Sequence, residues 1–144
     1  MTDRRLRTAG LVFIAGFVAH NADHARRGID AVTDHVVWAG TTVAVVAAIT
    51  LTLVFTRHPW AAAVAMAAGF SIALGVSASH LAPEWSALSD SLPQGDVDAL
   101  TWVAVMSEIL GALLLGVVGL GVVRRDGLPG ATPAPPPRSA QPAR

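Results

Sequence analysis

The chain contains no cysteine, lysine or tyrosine, so its chemistry rests on five histidines, its acids and arginine. Disulfides, thiolate metal sites and cysteine nucleophiles are thereby excluded. His20 and His24 stand at i and i+4, a spacing that on a helix lets both rings reach one ion. Glu108 is the one charge inside an otherwise apolar stretch, 100–123. An ionisable group in hydrocarbon is costly, so it should face the interior of a bundle and find a partner. Counting down from Leu100 puts Glu108 about 12 Å below the outer boundary, and counting up from Thr8 puts His20 at the same depth. His80 closes a third apolar stretch near that boundary, where Asp23 and His35 can approach as an outer shell. Imidazole with carboxylate suits zinc, copper, nickel or iron. The expected metal ligands are His20, His24, His80 and Glu108, with zinc or copper as the ion. A b-type haem is a further candidate if His20 or His24 opposes His80 at matching depth.

The same residues fit other readings. Glu108 can accept hydrogen bonds from His20, Ser107 or Arg26 and only lock helices together, as in a structural or accessory subunit without any cofactor. A proton-coupled carrier or a membrane enzyme is a third reading, with Glu84 or Asp90 as a base for zinc-assisted hydrolysis. No Glu-x-x-His signature is present, which disfavours a four-helix di-iron site. Ser86, Ser89 and Ser91 lack a nucleophile-elbow context, and His58 beside Pro59 reads as a loop residue.

Lipid positions these side chains. Hydrophobic residues make up 53% of the 144 and charged residues only 14%, too few for a soluble domain's surface. A formal net charge of zero gives no sign of a nucleic-acid partner. The expected fold is all-α, an integral membrane four-helix bundle over 1–126 with helices at about 8–27, 36–56, 60–80 and 100–123. The first apolar run, 8–19, is short. It resembles the central region of a signal peptide, but no small-x-small cleavage site follows, so the helix should continue through His20, Asn21, Asp23 and His24 to about Arg27.

Arginines at 4, 5, 7, 57, 124 and 125 fall on one side of a four-span topology, whereas the other side holds Arg26 and Arg27 but also Asp30, Asp34, Glu84, Asp90, Asp96 and Asp98. The positive-inside rule therefore puts both termini in the cytoplasm, with the chain multi-pass in the plasma membrane. Trp38, Trp85 and Trp102 then belong to the outer aromatic belt and Trp60 to the inner one. Small-residue stripes mark the packing faces. These are Phe13, Gly16, Phe17, His20 and His24 on helix 1, and Thr41, Ala44, Ala48 and Thr52 on helix 2. Helix 3 offers Ala62, Ala65, Gly69, Ala73, Val76 and His80, and helix 4 Ala104, Glu108, Gly111, Ala112, Leu115 and Gly119. The connection 81–99 should lie partly on the membrane surface. From 127 to 144, six prolines among small residues indicate a disordered cytoplasmic tail. The lipid bilayer is the expected partner, with a homo-oligomer or a membrane partner protein also compatible.

Residues 20–28, His-Asn-Ala-Asp-His-Ala-Arg-Arg-Gly, and 80–86, His-Leu-Ala-Pro-Glu-Trp-Ser, complete the pattern. With the span layout, the chain resembles small four-span membrane proteins of actinobacteria. That resemblance implies a fold and a location, with no activity and no catalytic residues attached.

Overall fold

In the computed structural model, residues 2–28 and 33–130 are described. Asp30 and the part of the expected tail beyond 130 lie outside the described residues. Four helices follow in order: α1 (Thr2–Arg27), α2 (Asp34–Phe55), α3 (Ala61–His80) and α4 (Ala99–Asp126). The described residues are helical or in connections, as expected of an all-α chain. Three helices, α2, α3 and α4, are long and apolar enough to cross a membrane.

Charge sets α1 apart. It is 26 residues long, about 39 Å at the helical rise, yet arginines and Asp23 interrupt its apolar character. It starts at Thr2, not Thr8, so Arg4, Arg5 and Arg7 lie on the helix instead of preceding it. Arginine and leucine are good helix formers, and buried Leu6 and Ala9 anchor this first stretch in the core. The helix runs unbroken through His20 and Asn21 to Arg27. Of its buried residues, Leu6, Ala9, Phe13, Gly16, His20 and Asp23 recur at spacings of three and four as one seam, and Gly10 beside them faces Leu51 and Val54 of α2.

That seam packs on α4, as does α3, whereas α2 is held more loosely, chiefly against α3. Glycine makes the two α4 interfaces this close. A Cβ on Gly16 would sit 2.4 Å from the Ser107 carbonyl oxygen. On Gly69 it would sit 2.5 Å from the Gly116 nitrogen and 2.6 Å from the Ala112 oxygen. Backbone cannot step aside, so Gly69→Ala should cost about 1–3 kcal/mol by forcing α3 from α4. Gly75, one face away, has nothing within 4 Å of the same position. Thermal unfolding of the two alanine variants should show a lower Tm for Gly69→Ala and no loss for Gly75→Ala.

The face expected for α2 is not the one that packs. Thr41, Ala48 and Thr52 are exposed, and the buried positions are Val36, Ala47, Thr50 and Val54. The Thr41 and Thr52 hydroxyls donate to the carbonyls of Val37 and Ala48 on their own helix, so neither needs a partner across the bundle. At the opposite end from the histidines, the Arg7 guanidinium lies 5.8 Å from the Phe55 ring centroid, which brings the start of α1 to the end of α2.

The connection from Leu81 to Asp98 folds back over the end of α3. The Asp90 amide donates to the Ser79 carbonyl and the Leu92 amide to the His80 carbonyl, both at 2.9 Å. Leu92 is buried in the core, so this segment is a packed cover and not only a surface strip. The Thr33 hydroxyl ties the start of α2 to it by donating to the Ala87 carbonyl at 2.6 Å.

Asp98 caps α4 by accepting from the Thr101 amide at 3.0 Å. That backbone N–H, and after it the Arg26 guanidinium, hold its carboxyl below the ordinary carboxylate range. A depressed folded pKa adds stability above the unfolded value and loses it as pH falls through the folded value. Asp98→Ala should therefore lower Tm by a few degrees at neutral pH. The gap to wild type should close as pH drops below about 4, in parallel melts across pH.

Candidate metal centre

The C-terminal ends of α1 and α3 bring three imidazoles together beside Glu108 of α4. His20, His24 and His80 each offer a nitrogen, and these three atoms lie within 4.8 Å of one another. Ring centroids are 4.7 Å apart for His20–His24 and for His20–His80, and 5.6 Å for His24–His80. Nitrogens on a tetrahedral zinc ion stand about 3.3 Å apart at Zn–N distances of 2.0–2.1 Å. Small side-chain rotations close that gap. The three histidines can therefore hold a metal ion.

Hydrogen bonds fix which nitrogens are free. His20 Nδ1 meets the Glu108 carboxylate in a short buried contact; His20 is 5% exposed and Glu108 2%. A carboxylate accepts, so Nδ1 carries a proton, and in the neutral ring Nε2 keeps its lone pair. That Nε2 is buried and has no hydrogen-bond partner among the described residues. His80 repeats the pattern: its Nδ1 donates to the Asp90 backbone carbonyl at 3.1 Å, with the Asp90 carboxylate at 3.4 Å. A carbonyl oxygen can only accept, so in the neutral ring His80 Nε2 is likewise the bare nitrogen. Metal-ligating histidines characteristically donate their second N–H to a carboxylate or carbonyl, which sets tautomer and ring orientation.

His24 differs. Arg27 Nη2 donates to its Nδ1 at 3.2 Å, which occupies the lone pair a metal would need there. To ligate an ion, His24 must release Arg27, whose other partners are Asp90 at 3.0 Å and Asp23 at 3.2 Å.

Asp23 meets no histidine. Its buried carboxylate pairs with Arg26 at 2.8 Å and with Arg27, so it acts on the cluster only through arginine. His35 is exposed at the start of α2. Ser107 donates to the Ala104 carbonyl and Arg26 reaches Asp23, Asp98 and Thr101, which leaves His20 as the partner of Glu108. The exposed His58 accepts from the Trp60 amide in the α2–α3 turn.

Asp90 is the residue that spacing arguments placed too loosely. Sequence marks it as one of several outer acids and, with Glu84, as a candidate base, yet it touches both His80 and Arg27. The hydrogen bond with His80, then those from Arg27, outweigh its partial burial and hold its carboxyl well below the usual range. Asp90 thus stays an anion beside the cluster.

Haem does not fit this arrangement. Axial imidazoles lie on opposite faces of a porphyrin, and centroids 4.7 Å apart for His20–His80 and 5.6 Å for His24–His80 leave no layer for a macrocycle between them.

A cavity of about 530 Å³ adjoins the cluster. His20, His24, His80 and Glu108 gather at one end of it, and mostly apolar residues of α2 and α3, with Phe17 of α1 and Trp85 and Leu88 of the connection, form most of the remainder. Comparison with family models, with curated proteins and with solved structures gives no match for this chain.

Proposed function

We propose that the chain is a four-span membrane protein, both termini cytoplasmic, that holds one divalent transition-metal ion near the outer face of the plasma membrane. His20, His24 and His80 are the ligands; Glu108 and Asp90 orient them. The observation that carries this reading is the pair of tethered imidazoles: His20 and His80 each spend Nδ1–H on an oxygen acceptor and keep Nε2 free. Charge supports it too. Asp23, Asp90 and Asp98 pair with two guanidiniums, Arg26 and Arg27, while Glu108 pairs with His20, and with neutral histidines a divalent ion balances the two excess negative charges. Three imidazoles without sulfur suit zinc, with copper(II) as competitor. A fourth position is left for water or a substrate, the arrangement of zinc sites that do chemistry.

Protein extracted and purified without chelator should carry about one zinc ion per chain by elemental analysis, as a single three-histidine site requires. Chains free of zinc and copper, and unable to take up either, would favour the reading in which His20 and Glu108 only lock α1 to α4. Spanning by α1 is tested separately. Because the chain has no cysteine, single cysteines report cleanly. In intact cells Ser89→Cys should react with an impermeant maleimide, and Arg5→Cys, before the apolar run of α1, should react only after permeabilisation. Equal labelling of both positions in intact cells would overturn the topology.

A further inference from the structure

The cavity beside the histidines has an opening that the helix packing does not explain. Most glycines in the membrane-spanning helices press against a neighbour: a Cβ on Gly16, Gly69, Gly111, Gly116 or Gly119 would lie within 3.2 Å of another helix. Gly40 on α2 and Gly75 on α3 are different. Both line the cavity, both are exposed, and a Cβ on either would meet nothing within 4 Å. Their lack of a side chain serves no close approach; it leaves a gap where the cavity reaches the flank of the bundle. Toward the aqueous side, Trp85 and Leu88 of the folded-back connection line the same cavity, and the Trp85 indole N–H is held by the Ala78 carbonyl at 3.0 Å. The space is thus covered from above, open between two apolar spans, mostly apolar along its walls, and charged or ionisable only at the histidine end.

From this we infer that the cavity admits, sideways from the outer leaflet, a single-chain amphiphile with an anionic oxygen head, of which a long-chain fatty acid is the simplest. The chain lies between α2 and α3 past Gly40 and Gly75, and the head reaches the metal held by the three histidines. This rests on the metal reading for its head and on the cavity alone for its chain. A volume of about 530 Å³ is in the range of small-molecule sites, roughly 300–1,000 Å³. Lipid tails are as apolar as these walls, so burial of the chain alone gives little selectivity over bilayer. The head contact supplies it.

The test uses full-length, zinc-loaded protein in nanodiscs and a palmitic acid bearing a diazirine in its chain. Photolabelling of the α2 and α3 cavity residues should saturate and be displaced by unlabelled palmitate. Gly75→Leu and Gly40→Leu add a side chain where there is room, so both variants should fold with unchanged Tm and keep their zinc. Their saturable labelling should fall at least tenfold, and removing zinc with a chelator should do the same to wild type. Labelling that never saturates, or that both leucine variants leave untouched, overturns the inference. Saturable labelling lost in the leucine variants but indifferent to zinc upholds the chain pocket and overturns the metal as the head's anchor.

Discussion

Alanine at position 80 or position 20 should abolish stoichiometric metal binding. Each of His20 and His80 presents a free Nε2 whose ring is already aimed by a bond at Nδ1, so ligation needs no change of tautomer. We expect affinity to fall at least about a thousand-fold in either variant, beyond the roughly 10–100-fold that outer-shell changes cost. His24→Ala should lose less, because in wild type part of that ligand's worth goes into displacing Arg27 from its Nδ1. Competition titration against a chromogenic chelator gives all three values. An equal loss across the three would contradict the special position of His24, and His80→Ala retaining wild-type affinity would remove α3 from the site.

The second large effect separates the two jobs of Glu108. Glu108→Gln keeps an oxygen that can accept from His20 Nδ1–H but discards the charge that raises ligand basicity. Metal affinity should drop about 10–100-fold. The metal-free fold should melt no lower than wild type, since a neutral amide is easier to place within a span. Glu108→Ala goes further and leaves a buried His20 N–H with no acceptor, which costs about 1–3 kcal/mol in addition. Gln should therefore damage binding alone, while Ala damages binding and stability together. If both variants lower Tm equally and neither alters affinity, Glu108 serves helix packing and has no part in metal binding.

These residues were legible in sequence to different degrees, for physical reasons. Depth was readable because helical rise is fixed: counting from the ends of two helices puts Glu108 and His20 at one level, and the structure joins them. The α4 face was readable too, since a lone carboxylate and small residues at spacings of three and four mark one stripe. On α2 the same logic failed. Its threonines satisfy themselves on their own helix, so polarity there says nothing about the packed face. The start of α1 was obscured because arginines beside an apolar run resemble a flank even when they continue a helix.

Asp90 and Arg27 were the residues least open to sequence reasoning. Asp90 reaches His80 only because the connection after α3 doubles back, a geometry set by backbone pairing at Ser79 and His80 that no periodicity announces. The contact of Arg27 with His24 follows from an i, i+3 relation, a signal that was present but pointed equally to Asp23. The cavity had no signal of its own. Gly40 and Gly75 look like the packing glycines until their neighbours are known.

The central claim is that three imidazole nitrogens from α1 and α3 meet at one ion. X-ray absorption at the zinc edge of the purified, zinc-loaded protein tests it most directly. The predicted first shell has three imidazole nitrogens at about 2.0–2.1 Å, with one further light atom, and loses one imidazole in His24→Ala. A shell of oxygen donors without the outer-ring scattering of imidazole would contradict it.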